Sequence, residues 1–290
     1  MPRLKNRYIA YAILLLNTAL WGLSAPIIKY SFQFVSPSLF LFYRYLFAAT
    51  LFFPIFLIYR SRTHHRIDHL RTFCIALLGT PLCLLPLFYG LNMTTAIEAS
   101  ILESSSPIFT ILMCLLFLRE TLKPKEWKGL ILALLGTFMI ALEPLITGHN
   151  HIHLSIQGNL LIILSNVIWT AFILLSKKIK TNPVYLSFYS FLVSIPFFYF
   201  ITVSQNLSFS LNPLALPGIF YMAIGGSIIA FWAYQEGQKR IEASEAAVFT
   251  YLKPAFAIPL SIFWLKEAFS PVAIVATVLI VVGVFISEKR

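Results

Sequence analysis

Apolar residues along the chain fall into ten long runs that short polar segments separate. The runs cover residues 8 to 29, 37 to 58, 72 to 92, 97 to 118, 126 to 146, 157 to 176, 183 to 203, 214 to 235, 243 to 264 and 271 to 287. A helix needs about 20 mostly apolar residues to cross the hydrocarbon core of a bilayer, and every run is close to or above that length. The pattern predicts an all-α polytopic membrane protein with ten transmembrane helices.

Composition leads to the same prediction. Of the 290 residues, 59% are hydrophobic and only 11% are charged, which is more apolar surface than one soluble core can enclose. The first run follows a basic stretch, as a secretory signal would, but its end, "WGLSAPIIK", contains no convincing cleavage site of small residues. We therefore expect this run to remain as the first transmembrane helix.

The net charge of +11 could indicate a nucleic-acid partner, but the positions of the cations indicate a membrane topology instead. If the N-terminus is cytoplasmic, lysine and arginine collect in the inner segments, whereas outer loops such as "PLITGHNHIH" and "QNLSFSLN" contain none. This alternation is the positive-inside pattern. We expect a protein of the inner (cytoplasmic) membrane with both termini in the cytoplasm and no nucleic-acid partner.

The chain also repeats itself. The segment "TTAIEASILESSSPIFTILMCLLFLRETLKP", residues 94–124, resembles "IEASEAAVFTYLKPAFAIPLSIFWLKEAFSP", residues 241–271. Pairs that are 147 residues apart include Ala96 with Ala243, Glu98 with Glu245, Pro107 with Pro254 and Glu120 with Glu267. Upstream, "WGLSAPIIK" resembles "WTAFILLSK" at an offset of 148. We expect two repeats, residues 1–150 and 151–290, and because each holds five helices the second enters the membrane inverted.

An inverted repeat is the usual construction of a secondary transporter, which binds its substrate near the midplane between halves that rock in alternating access. The motifs "WGLSAPIIK", "PSLFLFYR", "SPIFTILMCLLFLRE" and "KPAFAIPLSIFWLKE" resemble, in order and spacing, those of the drug/metabolite transporter superfamily in its ten-helix EamA branch. The resemblance covers essentially the whole chain. It implies an inner-membrane carrier, commonly an exporter or exchanger of amino acids or other small metabolites, surrounded by lipid as a monomer or weak homodimer.

Pro107 and Pro254 interrupt the fourth and ninth runs. Proline lacks an N–H, so each leaves the carbonyl four residues earlier, at Glu103 and Thr250, without its helical partner. In hydrocarbon a freed carbonyl needs another donor, so such kinks face other helices or a wet cavity. If only the two prolines are considered, helix bends that shape the bundle explain them as well as a binding site does. Glu103 favours a site, because a carboxylate in the bilayer costs about 2.5–3.5 kcal/mol on insertion scales.

Arg44, Glu103 and Lys253 are expected to line one central cavity. Arg44 and Glu103 lie at similar depths, so we expect them to pair, either only to fix helix register or also to meet substrate. Lys253 is too far from either helix end to reach the membrane surface comfortably. The surplus positive charge predicts a zwitterionic or anionic solute. Lys29 differs, because it lies at the outer end of its helix and can reach that surface.

Aromatic residues at matched or central positions are candidate walls of this cavity. They are Trp21, Tyr43, Trp169, Tyr189 and Tyr251, and Thr250 joins them as the counterpart of Glu103. Other polar residues have structural explanations. Glu98 and Glu245 fall in the first turns of helices, where a carboxylate complements the helix dipole, and Ser270 followed by Pro271 is typical of a helix start.

No motif of an enzyme is present in the sequence: we find no HExxH, no GxSxG and no phosphate-cradling glycine loop with its lysine. We therefore expect no enzyme, no cofactor and no nucleotide hydrolysis. The histidines of "HNHIH", residues 149–153, lack supporting carboxylates or cysteines, so we expect no metal. Alternatives that the sequence leaves open are a carrier of drugs or nucleotide-type solutes, a lipid scramblase and a membrane scaffold.

Overall fold

The structure is a computed structural model that describes residues 2–62, 68–118, 124–146, 155–179, 182–241 and 249–288. In these ranges the regular structure is helical throughout, and helical segments lie on each of the ten apolar runs. In chain order the α-helices are α1 Pro2–Gly22, α2 Ser24–Ser31, α3 Pro37–Arg62, α4 His69–Leu77, α5 Cys83–Met93, α6 Ala96–Ser104, α7 Ser106–Leu118, α8 Pro124–Ala141, α9 Glu143–Ile146, α10 Ile156–Ile179, α11 Pro183–Ser204, α12 Leu216–Tyr221, α13 Ala230–Arg240, α14 Lys253–Leu260 and α15 Pro271–Glu288.

Short non-α segments connect some of these helices. π-helical turns lie at Leu78–Leu82, Met222–Ile229 and Ser261–Leu265, and 3₁₀ turns lie at Pro213–Ala215 and Phe249–Leu252. The first two π-helical turns contain Gly79 and Gly226, which are 147 residues apart. The duplicated sequence therefore repeats this local distortion at equivalent positions of its two halves.

Six helical segments of the described chain are long and apolar enough to cross a membrane. They are Arg7–Ser31, Pro37–Arg62, His69–Met93, Ile156–Ser176, Pro183–Ser204 and Pro213–Gly237, and shorter apolar helices cover Trp127–Ala141, Phe249–Leu265 and Pro271–Gly283. Large apolar side chains point outward from these helices; Phe263 is 76% exposed and Phe200 is 69% exposed. Such a surface is suited to lipid rather than water. The prediction of an all-α polytopic membrane protein is confirmed.

The helices of the two halves pack in a symmetric arrangement. Helices at equivalent places of the two halves contact each other: α3 packs on α11, α6 on α14 and α8 on α15. Two further large contacts form a related pair, because α1 packs on α13 just as α10 packs on α5. A repeated sequence has thus produced repeated packing, and the interface between the halves runs through the centre of the bundle.

Glycines allow the closest of these approaches. A Cβ atom at Gly90 would lie 2.6 Å from the carbonyl oxygen of Gly158 and 2.8 Å from the side chain of Ile162. A Cβ atom at Gly237 would lie 2.6 Å from the Cγ atom of Leu14. Gly90 and Gly237 are 147 residues apart, and Leu14 and Ile162 are 148 apart. The same close helix contact, of the kind that small residues permit in membranes, therefore occurs in both halves.

Two helix starts in the described chain follow the predicted chemistry. The Oγ of Ser270 accepts a hydrogen bond from the backbone N–H of Ala273 at 2.9 Å, so Ser270 caps α15. Glu98 and Thr95 form a reciprocal capping box at the start of α6. Glu245, which was also expected in the first turn of a helix, lies outside the described residues, as does Glu120.

We expect Gly90→Ala to destabilise the protein, whereas Gly225→Ala should not. The methyl group at position 90 would push α5 away from α10 and cost about 1–3 kcal/mol, as overpacking does. The Cβ at position 225 would meet Leu20 at an ordinary 3.5 Å. Thermal unfolding of the two purified variants in the same detergent measures the difference. Equal melting temperatures would contradict the close contact between α5 and α10.

Candidate functional site

A cavity lies at the centre of the bundle, between the two halves. Its polar lining side chains are Ser24, Arg44, Thr80, Glu103, Ser106, Ser165, Asn166, Ser227 and Lys253. Aromatic lining residues are Trp21, Tyr45, Phe88, Trp169, Phe191 and Phe231. The volume of the cavity that is accessible to the centre of a water molecule is about 80 Å³. One buried water requires roughly 10–15 Å³ by this measure, so the cavity has room for several waters or a small solute.

The helix break at Pro107 borders this cavity. α6 ends at Ser104 and α7 begins at Ser106, so Pro107 is the second residue of a new helix rather than a bend inside a continuous one. The amide of Asn166 donates a 2.6 Å hydrogen bond to the carbonyl oxygen of Leu102. A side chain of α10 therefore supplies one of the donors that the broken backbone needs.

Pro254 occupies the equivalent place in the second half. The 3₁₀ turn Phe249–Leu252 ends immediately before α14, and Pro254 is the second residue of that helix. The hydroxyl of Thr18 donates to the carbonyl oxygen of Phe249 at 3.1 Å. Both prolines therefore mark helix restarts, and in each case a polar side chain from another helix bonds to the backbone just before the restart.

Glu103 and Lys253 form an ion pair across the interface between the halves. The Nζ of Lys253 lies 3.0 Å from Oε2 of Glu103, and the two side chains are only 12% and 14% exposed. The ammonium also lies 5.2 Å from the centre of the Trp21 ring. Glu103 was expected to pair with Arg44, and this expectation was wrong. The two broken helices α6 and α14 pack on each other, which brings their facing charges together.

Arg44 has a different environment. The residue is 4% exposed, its Nε donates to the Oγ of Ser227 at 2.8 Å, and its guanidinium carbon lies 5.0 Å from the ring centre of Tyr45 and 5.6 Å from that of Phe88. Among the described residues no carboxylate lies within ion-pair distance of it. A guanidinium has five N–H donors, and among the described residues only its bond to Ser227 is found, so donors of Arg44 are left for a solute in the cavity.

Two tryptophans form an aromatic wall beside the ion pair. The Trp21 and Trp169 rings meet edge to face with their centres 5.6 Å apart, and Tyr234 contacts both. The Nε1 of Trp21 donates to the carbonyl oxygen of Gly226 at 2.9 Å. This bond connects the first helix of one half to the π-helical turn of the other and fixes the orientation of the ring.

The other expected wall residues lie away from the cavity. The hydroxyl of Tyr43 donates to the carbonyl oxygen of Phe209 at 2.7 Å, and the hydroxyl of Tyr189 lies 2.6 Å from Nδ1 of His69. Thr250 and Tyr251 belong to the 3₁₀ turn before α14, and neither lines the cavity. Their positions in the sequence indicated depth in the membrane but not which side of the helix they occupy.

Several lining residues were missed by the sequence interpretation. Asn166 and Ser165 are polar residues in the middle of the sixth apolar run, and that interruption was a usable signal. Ser227 follows Gly225 and Gly226, and its hydroxyl is the hydrogen-bond partner of Arg44. Phe88 and Tyr45 carry no sequence signal that separates them from other buried aromatic residues.

Lys29 bonds to the end of another apolar helix of the bundle. Its Nζ donates to the carbonyl oxygens of Leu91, Asn92 and Thr94 at 3.0, 2.9 and 2.5 Å. These carbonyls lie at and just after the end of α5, where helical partners are missing. Lys29 therefore caps α5. The "HNHIH" segment lies outside the described residues.

Comparisons with known proteins agree with this architecture. The profile of the EamA-like transporter family matches residues 8–142 and 156–288. An uncharacterized transporter of Archaeoglobus fulgidus is 26% identical over 97% of this chain and 99% of its own length. The uncharacterized transporter YetK of Bacillus subtilis is 28% identical over 69% of this chain, and the match covers 62% of YetK.

More distant proteins match as well. Mouse solute carrier family 35 member F6 is 27% identical over 68% of this chain and 60% of its own length. A solved crystal structure superposes with a TM-score of 0.70 at 18% identity, covering 98% of this chain and 96% of that one, which shows a shared fold. The family profile spans both halves of the chain, and the protein is therefore a multi-pass membrane protein that belongs to the EamA-like transporter family.

Proposed function

We propose that the protein is a secondary transporter that binds a small anionic or zwitterionic metabolite, such as an amino acid, in the central cavity. The protein carries this solute across the cytoplasmic membrane as an exporter or exchanger. The two halves, residues 1–150 and residues 151–290, rock against each other and open the site to one side of the membrane at a time. Both termini lie in the cytoplasm. The membership of a transporter family supports transport in general, and the chemistry of the cavity supports the class of solute.

The proposal rests chiefly on the environment of Arg44, which is buried and has a neutral hydrogen-bond partner. A buried cation is costly unless it is paired, and Arg44 is 4% exposed with a neutral serine as its hydrogen-bond partner. Its planar fork of N–H donors matches a carboxylate or phosphate. A solute that brings an anionic group into the cavity would supply the missing partner, so Arg44 favours anionic groups over bulky cations.

The Glu103–Lys253 pair adds recognition of a second group. A solute carboxylate can share Lys253, while a solute ammonium can bind Glu103, so a zwitterion can exchange one ion pair for two. The cost of separating a buried pair is then offset by the new contacts. Because Glu103 and Lys253 come from opposite halves, a solute at this point touches both of the units that must move.

Helix breaks at the same level support alternating access. α6 restarts next to Pro107 and α14 restarts next to Pro254, and both breaks border the interface between the halves. Discontinuous helices at the interface of an inverted repeat are typical of substrate sites in secondary transporters. Trp21 and Trp169, which come from equivalent helices, would close the aromatic side of the site around the solute.

A nucleotide-type solute is the second candidate, because Arg44 and Lys253 could also bind a phosphate. Both candidates share the anionic group, and a panel of amino acids, organic anions and nucleotide-linked sugars separates them in sealed liposomes. Movement of lipid without movement of any soluble solute would instead support a scramblase.

Arg44→Met should abolish transport but leave a folded protein. Removal of an unpaired buried charge does not destabilise the fold, whereas loss of a charged contact to a buried solute costs about 2–5 kcal/mol. We expect solute affinity to fall roughly 30-fold or more. Uptake into proteoliposomes and melting temperature measure the two effects, with Arg60→Met at the exposed end of α3 as control. Normal uptake by Arg44→Met would exclude Arg44 from the site.

Glu103→Gln and Lys253→Met should each lower stability by about 3–5 kcal/mol, since each leaves the other charge buried and unpaired. The double variant Glu103→Lys with Lys253→Glu restores the pair. We expect it to recover the melting temperature of the parent but not its transport, because the charges facing the solute are exchanged. Recovery of both properties would show that the pair only fixes the helices.

The proposed topology makes Ser61 cytoplasmic and Asn206 external. In a variant without Cys74, Cys83 and Cys114, a cysteine at position 206 should react with an impermeant thiol reagent in intact cells, while a cysteine at position 61 should react only after the membrane is opened. The positive-inside distribution of lysine and arginine is the reason. Labelling of position 61 from outside would show that the orientation in the membrane is the opposite of the one proposed.

A further inference from the structure

Arg44 is a buried cation for which the described part of the chain provides no anion. None of the ion pairs found among the described residues includes Arg44. Glu103 is the one carboxylate among the described residues that line the cavity, and it is already paired with Lys253. A buried guanidinium without a counterion is costly, so this position favours an anion that comes from outside the chain.

Aromatic rings cover part of the guanidinium but do not neutralise it. Its central carbon lies 5.0 Å from the ring centre of Tyr45 and 5.6 Å from that of Phe88. A ring attracts a cation through its quadrupole, but it carries no net charge. The two rings also exclude water, which strengthens the attraction between the guanidinium and an anion beside it.

Gly226 leaves room beside the guanidinium. A Cβ atom at position 226 would lie 3.8 Å from Nη2 of Arg44, so this glycine borders the guanidinium. Arg44, Gly226 and Ser227 all line the central cavity, whose volume of about 80 Å³ is several times what one water requires. A halide ion is only slightly larger than a water molecule. The hydroxyl of Ser227, which accepts a bond from Arg44, still has its own O–H to donate.

The formal charge of the cavity indicates that the anion is single and monovalent. Arg44 and Lys253 contribute two positive charges and Glu103 contributes one negative charge, which leaves a surplus of one. One chloride ion brings this sum to zero, whereas a divalent anion would reverse it. Because Lys253 is held by Glu103, the uncompensated charge lies at Arg44.

We propose that Arg44 and Ser227, with the space beside Gly226, form a binding site for one halide ion, chloride in the cell. The free N–H groups of Arg44 and the O–H of Ser227 donate to the ion. Chloride is then the counterion of Arg44 when no solute is bound, and the anionic group of a solute displaces it. This displacement rests on the proposed function, but the binding of chloride does not depend on transport.

Thermal unfolding of the purified full-length protein in detergent tests the proposal. Chloride replaces gluconate, which is too large for the cavity, at constant pH and ionic strength. The parent should gain roughly 2–4 °C in Tm when chloride is about ten times its Kd, and the gain should saturate as it does at a single site. A Tm that does not change, or that rises without saturation, would contradict the site.

Arg44→Met is the decisive variant, because methionine fills much of the space of the arginine stem and has no donor for an anion. We expect it to lack the saturable gain. Arg60→Met, the same substitution at the exposed end of α3, should respond like the parent. Equal gains in Arg44→Met and the parent would show that chloride acts elsewhere.

Bromide locates the ion without any variant. Crystals of the parent soaked in bromide should give an anomalous peak within hydrogen-bond distance of the guanidinium of Arg44. If chloride raises the Tm but no bromide peak lies at Arg44, the proposal is wrong.

Uptake into proteoliposomes separates this inference from the proposed function. For a solute from the panel of amino acids, organic anions and nucleotide-linked sugars, chloride should raise the KM and leave the maximal rate unchanged. If no solute of the panel is transported but the saturable gain in Tm requires Arg44, the chloride site is supported and the proposed function fails. If transport requires Arg44 but neither Tm nor KM depends on chloride, the chloride site alone is excluded.

Discussion

The hydrocarbon core of a membrane offers no water to a broken helix, and this constraint organises the centre of the protein. At the break between α6 and α7, Asn166 bonds to the carbonyl oxygen of Leu102, and Thr170 lies 3.5 Å from the carbonyl oxygen of Ser106. Asn166 and Thr170 belong to α10, the first helix of the second half, and they add to the hydroxyl donors of Ser105 and Thr110 in the first half. The break in one half therefore depends on the other half, and the place where they meet is the cavity.

The charged side chains of the cavity are also arranged by the lack of water in the hydrocarbon core. Glu103 and Lys253 neutralise each other at the two helix breaks, while Arg44 lies between aromatic faces with one hydroxyl partner. The three charged side chains that line the cavity leave a formal surplus of one positive charge. A cavity with this balance is suited to an anionic group, and its aromatic wall limits the water that would screen the charge.

Near the N-terminal end of α6, side chains that are distant in sequence cap two helix ends. Lys29 caps α5, and Glu267 of the second half caps α6 of the first. Such caps are strong because the helix ends carry unpaired groups and little water competes for them. They also bring several charges together, which is why the surroundings of Glu98 differ from those of a solvent-exposed capping residue.

Much of the fold was predictable from the sequence because it depends on local properties. The apolar runs indicated helices in a membrane, the offset of 147 indicated two related halves, and the motifs indicated the EamA-like family, as the family profile confirms. Pro107 and Pro254 indicated where the helices break. Counting residues along a helix also gave the approximate depth of Glu103, Arg44 and Lys253.

Partners across the bundle were decided only by the tertiary structure. Glu103 and Lys253 are 150 residues apart, and their pairing depends on which faces of α6 and α14 meet. The bonds of Lys29 to the end of α5 and of Arg44 to Ser227 depend in the same way on the packing of distant helices. Sequence spacing determines the depth of a side chain in the membrane, but the rotation of its helix and the identity of its neighbour are determined by packing.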